Sequence, residues 1–286
     1  MGEGFSLVDL KGVSKPITKL IQAVSKGIGA IYEPVSTVRN AKAEAKARLI
    51  LAESDAALSE IKSRALERVN YREVRRQKNI DSIVKGAVCF LPDEVSTEEV
   101  DEDWIVDFFE LAQDIGNADM QKIWSKLLAG ETAKPGSFKP RTLGAVKLLT
   151  PQDAHMFTNM CSFSFLIDDD GGVERVMPIF SYEYFQFVRS NGFSVTAESH
   201  MMSIGLLSSV NLWYRSEGEE ADKINLYYFS ENYYTSPEVE EESNGEVALQ
   251  AFPFTEVGAE LYRISGAQPN KNFINLLLSN SDLYAC

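Results

Sequence analysis

With 286 residues, the chain is long enough for two compact domains, or for one domain carrying an extended element. An apolar fraction of 44% and a charged fraction of 24% argue against global disorder, and no apolar run approaches the roughly 18 residues of a membrane-spanning helix. The net charge of −14 conceals a division: residues 1–90 hold 16 Lys+Arg against 10 Asp+Glu, while residues 91–286 hold 12 against 32. Such a split predicts two surfaces with different partners. Cys89, Cys161 and Cys286 are too far apart for a disulfide framework or a C-x-x-C site. Residues 1–10 carry two acids and no signal-like apolar block, so the cytoplasm is the expected compartment.

Residues 14–32 place Ile17, Leu20, Ile21, Val24 and Ile28 at steps of three and four, the mark of one apolar helical face. Ser14 is the expected N-cap, with Pro16 in the first turn. Lys11, Lys15, Lys19 and Lys26 form a cationic stripe beside that face. Glu33 and Pro34 are expected to end the helix. From residue 36 to about 88 the sequence is rich in Ala, Lys, Arg, Glu and Leu and has no Gly or Pro before Gly86, which predicts a long helix or helical hairpin. Leu51, Leu58, Ile61, Ala65 and Val69 mark a narrow seam on it, too weak to stand alone in water.

Pro92 breaks this pattern. Ser96 and Glu99 have the spacing of a capping box and are expected to open a helix carrying Trp104, Phe108 and Phe109. Asp119 precedes a helix with Trp124, Leu127 and Leu128 on one side, stopped at Gly130. Ser137 is the expected cap of a third helix, and Thr150, Pro151 and Asp153 open a fourth that runs to Met160. After Cys161 the period changes to short β-branched and aromatic runs, SFSFLI, VNLWYR, INLYYF and VALQAF, which read as antiparallel strands. Helices are expected at 182–189, 197–204, 255–264 and 272–278. Their order around a hairpin is that of a winged-helix-like module. The predicted fold class is therefore α+β and predominantly helical. It comprises a basic helical arm (1–90), a compact helical core (91–160) and a winged-helix-like domain with a small antiparallel sheet (161–286).

The segment WSKLLAGE from Trp124 to Glu131, with PGSF from Pro135, Arg141, Thr142 and Leu143, resembles an uncharacterised bacterial family of unknown function. It is also remotely similar to the abortive infection alpha family. The resemblance implies a setting in phage-defence or mobile-element genes; it implies no reaction, because none of these residues is an evident nucleophile, base or metal ligand.

Other chemistry is equally thin. His155 and His200 have no partner at zinc-ligand spacing, no nucleophile elbow or phosphate-binding glycine loop occurs, and the DDDGG run from Asp168 lacks the later carboxylate of a calcium loop. No cofactor is expected, and a binding protein is favoured over an enzyme. The candidate interaction residues are Lys11, Lys15, Lys19 and Lys26, the apolar Ile17, Leu20, Ile21, Val24 and Ile28, and Arg68, Arg72, Arg75 and Arg76. The lysine-edged face suits an anionic membrane surface, making a peripheral location at the inner membrane the competing expectation. Packing on the protein's own helices or on another subunit is favoured over it. The arginines suit a phosphate backbone, a use opposed by the acidic remainder of the chain. The leading expectation is a non-enzymatic defence component that binds a phage or host protein and self-associates, with a nucleic-acid-associated factor as the alternative.

Overall fold

The computed structural model describes residues 14–29, 56–169, 172–215, 223–236 and 248–285. Lys11, the beginning of the expected long helix with Leu51, and the acidic run 238–246 lie outside them. The chain divides into two compact units, Met1–Lys147 and Leu148–Cys286. The expected arm and most of the expected helical core thus share one unit, and the fourth core helix falls in the other.

In the first unit, α1 spans Lys15–Gly27 with Pro16 in its first turn. It stops before Glu33, with a left-handed Gly29 just beyond it (φ +66°). The long helix α2 is continuous from Ala56 to Val88, 33 residues or about 50 Å. Three helices follow, α3 (Glu102–Ala112), α4 (Ala118–Ala133) and α5 (Pro140–Leu148). The expected capping box does not open α3. Asp101 caps it instead, accepting from the Trp104 N–H at 2.9 Å, while the Ser96 hydroxyl accepts from Glu98 in a local turn. Asn117 caps α4 by accepting from Asp119 and Met120. Gly130 does not stop that helix, which runs on to Ala133; the glycine makes room for the Phe138 ring, which a Cβ there would meet at 2.7 Å. The core is aromatic. Trp104 stacks on Phe108 at 5.3 Å, and Phe108 meets Trp124 edge-on at 5.2 Å, geometries that add to the burial of three large side chains.

The second unit opens with α6 (Pro151–Cys161), capped by the expected box of Thr150 and Asp153. Seven strands form one sheet: β1 (Phe165–Asp169), β2 (Gly172–Pro178), β3 (Leu212–Arg215), β4 (Ile224–Tyr228), β5 (Glu231–Thr235), β6 (Ala248–Pro253) and β7 (Tyr284–Ala285), in the order β3-β6-β2-β1-β4-β5-β7. Every neighbouring pair is antiparallel. Helices α7 (Tyr182–Ser190), α8 (Val195–Ser203), α9 (Glu256–Ser265) and α10 (Lys271–Ser279) match the expected positions within two residues.

The fold is predominantly helical α+β, but its sheet is larger than the small one expected. The order α8, hairpin, α9 is present with β3 and β6 as the paired strands, and β4 and β5 are inserted between them in sequence. The core of this unit centres on Phe273, whose ring lies 5.2 Å from Phe163, 5.9 Å from Phe165 and 5.8 Å from both Tyr184 and Tyr228.

Candidate interaction surfaces

The apolar face of α1 packs on its own unit. Leu20 and Val24 are fully buried, Ile17, Ile21 and Ile28 are half-buried, and a Cβ on Gly27 would meet Phe109 and Ile105 at 2.6–2.8 Å. This is the packing on the protein's own helices favoured among the uses of these five residues, and it leaves Leu20 and Val24 no surface for contact with other molecules. The lysines are also partly engaged. Lys19 donates to the Ser96 carbonyl at 2.9 Å, and burial lowers its pKa against the opposing pull of Glu98 and Glu131. Lys26 pairs with Glu99 at 2.5 Å, a hydrogen bond that raises the ammonium pKa and lowers that of the carboxyl. The pair is exposed and adds little stability. Lys15 is exposed.

The arginines of α2 separate into two groups. Arg76 grips Asp114 through two hydrogen bonds of 3.0 and 2.8 Å, and Arg75 joins at 2.9 Å. Their hydrogen bonds and charge hold Asp114 below the usual carboxylate range against the effect of burial. These two arginines therefore tie α2 to the turn after α3. Further toward the N-terminus, Arg68 and Arg72 are exposed, and Arg72 is bonded only to its neighbour Glu73 among described residues, at 2.9 Å.

Between Glu60 and Lys78 no side chain is buried; burial along α2 begins at Asn79 and continues through Ile80, Ile83, Val84 and Ala87. Within this stretch Ile61 is 59% and Tyr71 76% exposed. Arg64, Arg68 and Arg72, four residues apart, share one helical face with Ile61. It is a mixed apolar and cationic surface about 17 Å long at 1.5 Å per residue.

In the second unit the sequence missed one polar pair. His200 Nε2 lies 2.6 Å from an oxygen of Asp153. The other carboxylate oxygen accepts from both the amide and the hydroxyl of Thr150 at 2.8 Å. These bonds outweigh burial and keep Asp153 below its usual range. The pair joins the start of α6 to α8, and among the described residues no nucleophile is hydrogen-bonded to the histidine ring. His200 and Asp153 are 47 residues apart, so spacing gave no signal of it. Among the described residues no group of three His, Cys, Asp or Glu side chains could hold a metal, and no helix is long and apolar enough to cross a membrane. A cleft of about 290 Å³ lies between the β4–β5 turn and α10, lined by Phe229, Glu231, Lys271 and Ile274 among others.

The family described as "Protein of unknown function (DUF2806)" matches residues 63–278, three quarters of the chain. The chain belongs to the DUF2806 family. The match begins inside α2, so α1 lies outside it, whereas the exposed arginines, the aromatic core and the whole sheet except β7 lie within it. None of the curated proteins and none of the solved structures matches.

Proposed function

We propose that this protein is a non-enzymatic binding component, acting by protein binding and self-association, with the N-terminal half of α2 as its principal contact surface. The observation that carries the reading is the absence of any buried side chain from 60 to 78 on a helix that displays Ile61 and Tyr71 beside Arg64, Arg68 and Arg72. A free helix of this composition is marginal in water, and apolar groups set among arginines are the usual material of protein interfaces. Charge names a suitable partner. Residues 60–78 carry seven basic and three acidic side chains, whereas the unit Leu148–Cys286 holds 6 Lys+Arg against 20 Asp+Glu. The α2 arm of one copy therefore complements the acidic unit of another. A phage or host protein with an acidic surface is complementary in the same way. The setting implied by the resemblance to abortive infection proteins is antiviral defence, and a phage challenge of cells expressing the gene tests it directly: loss of protection on deleting the gene supports it, and unchanged plaque counts reject it.

Light scattering after size exclusion tests the contact itself. Wild type is expected to exceed monomer mass at micromolar concentration, and Ile61→Glu with Tyr71→Glu to return it to the monomer. A wild-type monomer throughout the micromolar range sinks the self-association part of the reading. The same three arginines, exposed at four-residue steps, also favour a second use, contact with a phosphate backbone. Retardation of DNA or RNA at low salt that is lost in an Arg64, Arg68, Arg72→Gln variant would promote that use over protein binding.

A further inference from the structure

The tip of the β4–β5 hairpin and the first turns of α10 face each other across a cleft, and strand register decides which side chains the hairpin contributes. Tyr228 and Glu231 are opposed on either side of the turn Phe229–Ser230, and Leu226 opposes Tyr233. Opposed residues, and residues two apart on a strand, share a face, so Tyr228, Glu231 and Tyr233 lie on one side of the sheet. That side carries α10, because the Tyr228 ring meets Phe273 at 5.8 Å. On the helix, Lys271, Ile274, Asn275 and Leu278 fall at steps of three and four and share one stripe. All of these residues border the cleft of about 290 Å³, a volume near the lower end of the range for small-molecule sites.

Packing alone does not account for two features of this cleft. The first is Phe229, whose φ is +54°. It is the first residue of the turn, a position where positive φ is normally met by glycine, asparagine or aspartate, and a bulky side chain held there is strained. The strained backbone sets an aromatic ring against the cleft, edge-on to Tyr228 at 4.8 Å and 81°. Tyr233 adds another ring, and its hydroxyl donates to Glu231. Aromatic rings set at right angles beside a carboxylate are the surroundings that hold a methylated ammonium group, whose diffuse positive charge is attracted by ring faces. The second feature is Lys271, which is exposed and has no carboxylate paired with it among the described residues. It stands in the first turn of α10, where the helix N-terminus adds to its attraction for an anion.

We propose that this cleft binds a small zwitterion that joins a quaternary ammonium group to an acid group, a betaine carboxylate or a phosphocholine ester. The ammonium lies among the rings of Tyr228, Phe229 and Tyr233 with Glu231 as its counter-charge. The acid group pairs with Lys271, and Ile274 and Leu278 cover the carbons between. A bare cation would leave Lys271 unpaired and be repelled by it, and a bare anion would meet Glu231. Opposite charges at the two ends of one ligand satisfy both walls. The site belongs to the second unit and goes beyond the protein-binding reading of α2.

The test is a ligand-observed NMR titration of the full chain, following the methyl singlet of glycine betaine and of phosphocholine. At least one of them is expected to bind with a Kd below about 1 mM. The probe tert-butylacetate has the shape of glycine betaine with carbon in place of the charged nitrogen, and should bind about tenfold more weakly or worse. Phe229→Leu is expected to weaken the zwitterion by a similar factor and Phe229→Tyr by much less. Lys271→Gln should weaken it by about tenfold and leave tetramethylammonium binding unchanged. The Ile61→Glu, Tyr71→Glu variant should bind like wild type, so a failure of the α2 reading leaves this one measurable. No binding of either zwitterion overturns the proposal. Equal affinity for tert-butylacetate also overturns it, because apolar contact would then account for binding, and this comparison holds on wild type even if a Phe229 variant does not fold. Zwitterion binding indifferent to Lys271→Gln assigns the cleft to a plain alkylammonium ion and overturns the proposed class.

Discussion

At the level of single residues, Gly258 shows how a local pattern acquires its reason. It follows Phe254 and Thr255 and precedes Glu260 and Leu261, and it sits in the first turn of α9. A Cβ at this position would overlap the backbone carbonyl of Leu206, which also accepts from Thr255 N–H at 3.2 Å. Backbone cannot swing away as a side-chain tip can, so Gly258→Ala is expected to destabilise the protein by about 2 kcal/mol, read as a lower midpoint in urea. A substitution without loss would mean that the α9 entry shifts freely. Glu131 is the second case. Its buried carboxylate accepts from the backbone N–H groups of Gly136, at 2.6 Å, and Phe138, at 3.0 Å, and so holds the turn that carries Phe138 into the core. Glu131→Ala would orphan the buried donor of Phe138 and release the part-buried one of Gly136, and a loss of about 2 kcal/mol is expected by denaturant titration.

Among the elements, α2 is divided by burial into a packed C-terminal half and an exposed N-terminal half, with the Arg75, Arg76 and Asp114 cluster at the junction. This junction carries a pH dependence with a definite sign. Because Asp114 has a folded-state pKa below its ordinary value, its contribution is fully present above the unfolded carboxylate pKa of about 3.9 and is lost as pH falls through the lower folded value. Asp114→Asn should therefore lower stability at neutral pH and flatten the dependence below about pH 4. Parallel acid limbs for variant and wild type would show that the cluster contributes nothing. The strands show where periodicity misleads. β2 escaped sequence reading because Glu174 and Arg175 interrupt its apolar run. Arg175 is buried, with its guanidinium stacked on the Tyr262 ring at 3.5 Å, a polar group that only a tertiary partner makes tolerable in the interior. β5 escaped because ENYYT alternates a buried Tyr233 with polar neighbours only once the pairing with β4 is known.

For the whole molecule, charge separates the two units. Met1–Lys147 carries 22 Lys+Arg against 22 Asp+Glu, so the entire net charge belongs to Leu148–Cys286. The basic arm is thus balanced by acids within its own unit, several of them, such as Glu99 and Asp114, already paired with it. An assembly of the arm of one copy with the acidic unit of another should weaken as salt screens charges beyond about 8–10 Å. The expected result is a scattering mass that falls toward monomer between about 50 mM and 500 mM salt, whereas a mass that rises with salt would mark a purely apolar contact.

Sequence alone determined what depends on neighbours along the chain. Helical spacing placed α1 with its aliphatic face and α3 and α4 with their aromatic ones, the Thr150 box fixed the start of α6, and short aromatic runs located β1, β3, β4 and β6. The separation of charge was equally legible, because it requires only counting. Tertiary structure decided which of these surfaces remain outside. The α1 face could serve a membrane, another subunit or the protein's own helices, and Phe109 with its neighbours covers it; the α2 arm, whose narrow seam looked in need of cover, is exposed among the described residues. The place of β3 at the end of the sheet among the described strands has the same origin, since a strand's sequence records its alternation but not whether another strand lies beside it. Burial and pairing are relations between segments far apart in the chain, and no local periodicity encodes them.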